Sequence, residues 1–202
     1  TPLFLTSSFV YDSAEEMAAA FSDESLDVNI YSRFSNPTVD EFIGKIAALE
    51  GAEEGIATGT GMAAVFSTFM TFLSQGDHII SASAVFGSTH AILTKYLPKW
   101  GIAYSYFNMA RPQDIAGLIR PNTKMLYVET PSNPGLDILD IEEVAVLCKQ
   151  HGILLVVDNC FATPAVQRPI PLGADLVIHS ATKFIGGHSD VIAGSVSGSK
   201  EL

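Results

Sequence analysis

The run Ile153-Leu154-Leu155-Val156-Val157 is apolar at every position and ends on Asp158-Asn159. A strand with one face in water alternates apolar and polar residues, so an unbroken apolar run suits a strand covered by helices on both faces. The helical pattern from Ile141 to His151, stopped by Gly152, leads into it. The same alternation extends upstream, with strands over Gly55 to Thr58, His78 to Ala82, Ile102 to Phe107 and Lys124 to Glu129. Helical patterns over Gly61 to Leu73, Ser88 to Leu97 and Pro112 to Ile119 separate them. Downstream, Asp175 to His179 and Val191 to Ser197 complete a seven-stranded series. Asn36-Pro37-Thr38 is a capped helix start, after which Val39, Phe42, Ile43, Ile46 and Leu49 recur at helical spacing until Gly51. Residues 36–202 therefore read as one α/β layered domain. Residues 1–35 differ: Phe4 to Val10 is short and Ser/Thr-rich, Asp12 to Ser22 is an isolated helix, and the segment reads as an arm.

The 202 residues carry 11 Lys plus Arg against 22 Asp plus Glu, a net charge of −11. That balance argues against a nucleic-acid or anionic-membrane surface. A chain this size removes roughly 70% of its unfolded surface from water, and a 48% hydrophobic fraction supplies the material. The most apolar stretch, Met62 to Leu73, is interrupted by Ser67, Thr68 and Thr71 and falls short of the ~20 residues a bilayer span needs. Cys148 and Cys160 have no repeated spacing, so neither a disulfide framework nor a zinc knuckle is implied. Thr1-Pro2 opens no basic region followed by an apolar core. A cytoplasmic location is expected, with upstream residues missing because Thr1 stands in place of methionine.

Three segments carry chemistry. Gly59-Thr60-Gly61-Met62-Ala63-Ala64 follows a strand and opens a helix. A dinucleotide fingerprint would also want an acidic residue closing the next strand, yet Asp77 precedes that strand. What survives is an anion site, where glycines let backbone N–H groups approach and a helix N-terminus adds partial positive charge. Ser180-Ala-Thr182-Lys183 ends a buried strand with two hydroxyls and a lysine. A lysine held there is either paired with a carboxylate or used in Schiff-base chemistry. Asp158 places a carboxylate at the same sheet edge, where one of its uses is to hold the proton on a pyridine nitrogen. His188-Ser189-Asp190 imitates a catalytic triad, but sequence neighbours on one loop cannot take that geometry. His90 and His151 have no i+4 partner for a metal, and Cys160 reads as a small core or near-site residue.

Five motifs, Tyr31-Ser-Arg33-Phe-Ser-Asn36-Pro37-Thr38, Gly61-Met62-Ala63, Glu129-Thr-Pro-Ser-Asn133-Pro134, Val157-Asp158-Asn159 and Ser180-Ala-Thr-Lys183, occur in the order and spacing of the Cys/Met-metabolism family of pyridoxal-phosphate (PLP) enzymes. The chain resembles that family from end to end. The resemblance implies the type I aminotransferase-like large domain, a mostly parallel seven-stranded sheet between helices, without the C-terminal small domain and its substrate-binding arginine. It implies PLP as cofactor and Lys183 as the Schiff-base lysine and proton shuttle. Asp158 would hold the pyridinium, while Gly61, Met62, Ser180 and Thr182 would bind the phosphate and Asn133 would lie near the phenolic oxygen. Tyr31 and Arg33 match a pair that reaches the phosphate of a neighbouring subunit, so the arm over 1–35 would complete a shared site in a homodimer or a dimer of dimers.

One position departs from the lyase pattern. Most of the family carries a tyrosine that stacks on the cofactor ring and assists acid–base chemistry, where this chain has Phe86 in Val85-Phe86-Gly87-Ser88-Thr89. Phe86 keeps the ring face and loses the proton donor. The substitution resembles the branch that makes homocysteine from O-succinylhomoserine and sulfide, the O-succinylhomoserine sulfhydrylases. The implied reaction is γ-replacement on an O-acylhomoserine. Cystathionine γ-synthase, methionine or cystathionine γ-lyase, and a non-catalytic cofactor-binding fragment are the alternatives.

Overall fold

The computed structural model describes residues 2–23 and 28–202; Thr1 and part of the expected arm therefore lie outside the described residues. Seven strands, β1 (Glu54–Thr58), β2 (His78–Ala82), β3 (Ala103–Phe107), β4 (Thr123–Glu129), β5 (Leu154–Asp158), β6 (Leu176–Ser180) and β7 (Gly194–Gly198), form one sheet in the order β1-β7-β6-β5-β4-β2-β3. Strand β7 runs antiparallel to β1 and β6, and every other pair is parallel. Strands β2 and β7 are buried at every position, as strands covered on both faces must be.

Helices α1 (Ala14–Ser22), α2 (Pro37–Glu50), α3 (Gly61–Phe72), α4 (Gly87–Ala91), α5 (Ile115–Leu118), α6 (Ile141–His151) and α7 (Thr163–Val166) connect and cover the sheet. Helix α2 begins where Asn36 accepts from the Thr38 N–H with Pro37 in the first turn, and ends at Gly51 in the left-handed region. It packs against β1 and β7, α3 against β1, β6 and β7, and α6 against β5. The core between them includes Phe69, Ile79, Leu126, Tyr127, Val156 and Ile178, all fully buried.

The expected helix over Ser88 to Leu97 is instead a short α4 followed by a π-helical turn, Ile92–Tyr96, and a 3-10 turn, Leu97–Trp100. All three keep Ile92, Leu93 and Leu97 buried, and apolar spacing alone does not separate them. The strands expected over Asp175 to His179 and Val191 to Ser197 are displaced toward the C-terminus, to β6 and β7. Asp175 instead accepts the Leu155 N–H through its side chain. In the arm, Ser8 and Tyr31 form a single antiparallel bridge. No helix among the described residues is long and apolar enough to cross a membrane.

Candidate active site

The sheet topology brings the chemistry-bearing residues to one edge. Thr58 of β1 and Ser180 of β6 both sit opposite Gly194 of antiparallel β7, and Glu129 of β4 sits opposite Asp158 of β5. Their C-terminal ends therefore open on the same side, where α/β sheets bind ligands. A cavity of about 190 Å³ there is lined by Gly61, Met62, Phe86, Glu129, Asn133, Asp158, Cys160, Ser180, Thr182 and Lys183 among others.

On one wall, Thr60 caps α3 by accepting the Ala63 N–H at 2.9 Å. The N–H groups of Gly61 and Met62, in the first turn, have no partner within the helix. A Cβ on Gly61 would lie 2.4 Å from Ser180 Cβ, so only glycine allows the helix start to press against the β6 end. Thr182 is held by its hydroxyl, which accepts the Ala193 N–H at 3.1 Å.

At the floor, Asp158 Oδ2 accepts from the Tyr127 hydroxyl at 2.9 Å and Oδ1 from the Cys160 N–H at 3.1 Å. Burial raises the carboxyl's pKa, while the Tyr127 and Cys160 hydrogen bonds and, through the sheet, His179 pull it back down. Glu129, 4% exposed, accepts the Phe86 N–H at 2.7 Å. Burial and the nearby Asp158 push its carboxyl up to about 8. The Cys160 thiol is likewise pushed up to about 12, first by burial and then by Asp158, and donates to the Ser180 carbonyl.

The structure thus brings Gly61, Met62, Phe86, Asn133, Asp158, Ser180, Thr182 and Lys183 around one cavity. Tyr31 and Arg33 lie away from it; the Arg33 guanidinium stacks over the rings of Tyr31 and Phe34 at 5.4 and 5.1 Å. Lys183 corrects an expectation. It sits on a turn beyond β6, its N–H donating to the Ser180 carbonyl, and is exposed to solvent rather than held in the interior. It makes no ion pair among the described residues, so the carboxylate-paired reading has no partner to rest on. Sequence reading assigned no role to Tyr127, which forms the floor under Asp158, or to Glu129, whose motif was visible while its link to Phe86, 43 residues away, was not.

The sequence profile described as Cys/Met metabolism PLP-dependent enzyme matches residues 1–202. The chain is 46% identical over 199 residues to an O-succinylhomoserine sulfhydrylase of Pseudomonas aeruginosa, covering 98% of this chain and 49% of that protein. It is 42% identical over 202 residues to an L-methionine gamma-lyase of Fusobacterium nucleatum, covering all of this chain and 51% of the relative. The chain spans about half the length of the curated relatives it matches. A putative O-acetylhomoserine (thiol)-lyase of Campylobacter jejuni, solved with N'-pyridoxyl-lysine-5'-monophosphate, superposes with a TM-score of 0.92 at 31% identity, covering 100% of this chain and 49% of that one. The cavity suits that cofactor on its own chemistry. The buried Asp158 carboxylate has hydrogen-bond donors but no ion-pair partner among the described residues, and a pyridinium N–H would suit it. The Gly61 and Met62 amides beside the Ser180 hydroxyl suit a phosphate.

Proposed function

Because the chain belongs to the Cys/Met-metabolism family of PLP-dependent enzymes, we propose that it forms the cofactor half of an enzyme that exchanges the acyloxy group of O-succinylhomoserine for sulfide, giving homocysteine. Bound PLP supplies an electron sink that lets substrate carbons give up protons. Lys183 would be its covalent anchor, and its Nζ would move the protons at the substrate's Cα and Cβ. Asp158 holds the proton on the ring nitrogen. The Gly61 and Met62 amides and the Ser180 and Thr182 hydroxyls would hold the phosphate, Asn133 would serve the phenolic oxygen, and the Phe86 ring would stack on the cofactor. Residues 1–35 act as an arm that brings Tyr31 and Arg33 to the neighbouring subunit's phosphate in a homodimer or dimer of dimers.

The observation that carries the choice of reaction is Phe86 on the cavity wall. A carboxylate leaves Cγ as a stable anion and needs little help from a proton donor, whereas a thiolate needs more, and Phe86 has no hydroxyl to give. The 46% identity to a sulfhydrylase supports the same choice. The 42% identity to a methionine gamma-lyase keeps elimination from methionine as the second reading.

Assaying the holoenzyme for homocysteine, cystathionine and α-ketobutyrate across a panel of O-succinylhomoserine, O-acetylhomoserine and methionine, with sulfide or cysteine, separates these activities. O-Succinylhomoserine with sulfide is expected to exceed every other combination by about tenfold or more in kcat/KM. In Phe86→Tyr, elimination from methionine should rise by about tenfold or more as a proton donor returns. Methionine elimination as the main wild-type activity would overturn the choice of reaction, and PLP binding without turnover of any substrate would favour a non-catalytic role.

A further inference from the structure

Along a strand, successive side chains face opposite sides of the sheet. Each strand end that supplies the cavity therefore has a neighbour turned away from it: Thr130 beside Glu129, Asn159 beside Asp158, and His179 beside Ser180. These neighbours are joined to one another. Asn159 Nδ2 donates to Glu50 Oε1 at 2.9 Å and to the Gln167 carbonyl at 2.8 Å. His179 Nε2 bonds the same Glu50 oxygen at 2.6 Å. Gln167 Nε2 donates to the Thr130 carbonyl at 2.8 Å and to Asn159 Oδ1 at 3.0 Å. Glu50, Thr130, Asn159 and His179 are all 0% exposed, and none of them lines the cavity.

Stability gives this cluster a poor rationale. Glu50 is the last residue of α2, where the helix dipole disfavours a carboxylate and no basic residue in the last turn offsets it. Glu50 Oε2 and His179 Nδ1 are buried without hydrogen-bond partners among the described residues. Apolar side chains of similar volume would avoid both costs. The polar groups do, however, link three adjacent strand ends to one another and to α2.

We infer that the Glu50-centred network is a positioning device that sets, from behind the sheet, the spacing of Glu129, Asp158 and Ser180. Its members act through those residues rather than by touching the cofactor. The inference rests on the assignment of the cavity to PLP.

The test titrates PLP into the apoprotein by absorbance, at a temperature where every variant is folded, and records apoprotein melting separately. Gln167→Ala cuts the link to Thr130 and is expected to weaken PLP binding by about tenfold, the scale of one lost buried hydrogen bond. Glu50→Ala should weaken it at least as much. Glu50→Gln should stay within about twofold of wild type, since the amide oxygen can still accept from His179 and Asn159. A purely structural cluster would lower the melting temperature and leave the PLP Kd unchanged, and that result in Gln167→Ala overturns the inference even if Glu50→Ala fails to fold. Ser180→Ala reads the assignment of the cavity itself. If Ser180→Ala weakens PLP and Gln167→Ala does not, the positioning role alone fails; if Ser180→Ala leaves the Kd at the wild-type value, the cofactor assignment fails with it.

Discussion

Lys183→Ala is expected to lower holoenzyme turnover by about 1,000-fold or more and to remove the protein-linked visible absorbance, because in the proposed mechanism one side chain supplies both the covalent anchor and the moving proton. The local structure makes this variant clean. Lys183 lies on an exposed turn after β6, makes no ion pair among the described residues, and is pinned through its backbone, whose N–H donates to the Ser180 carbonyl and whose C=O accepts the Gly187 N–H. Alanine keeps both backbone bonds, so the fold and the phosphate-binding edge should persist. Apoprotein melting within about 2 °C of wild type, beside a collapsed kcat, is the expected pair of results, since exposed substitutions usually cost within ±0.5 kcal/mol. Turnover retained within tenfold would remove Lys183 from the mechanism.

Asp158→Asn is expected to cost about 100-fold or more in kcat, the scale of losing one preorganised charge at a reacting group. An amide oxygen can still accept the Cys160 N–H while the amide NH2 donates to the Tyr127 oxygen, but the neutral group cannot hold a proton on a ring nitrogen by charge. Burial raises the pKa of Asp158, so the ionised carboxyl is costly until a cation meets it. The apoprotein of Asp158→Asn should therefore melt no lower than wild type, while the holoprotein loses part of the stabilisation that ligand binding confers. Thermal melts of the two forms check this. A variant apoprotein several degrees less stable would mean that the carboxylate serves the fold.

Much of this arrangement is legible in residues 141–159. Ile153 to Val157 read as a doubly covered strand because no polar residue interrupts them, and Gly152 marked the helix end because only a residue tolerant of φ +63° sits comfortably there. Asp158, closing that run, falls at the C-terminal edge of the sheet by its position alone. Distant pairings left no such trace. The Tyr127 hydroxyl reaches Asp158 across 31 residues, and Glu50 reaches His179 across 129. A tyrosine inside an apolar strand and a glutamate ending a helix read as ordinary positions until the sheet order brings their partners alongside. The turn at Ile92–Tyr96 was hidden for another reason, since its burial pattern is compatible with a regular helix. The position of Lys183 just after a buried strand predicts an interior lysine; the polypeptide instead turns after Ser180 and carries it to the surface.

If Lys183 anchors PLP, reducing the PLP-loaded protein with borohydride and locating the pyridoxyl adduct by peptide mass spectrometry will show it. The adduct is expected on the peptide containing Lys183 and absent after Lys183→Ala; an adduct confined to another lysine, such as Lys95, Lys149 or Lys200, would contradict it.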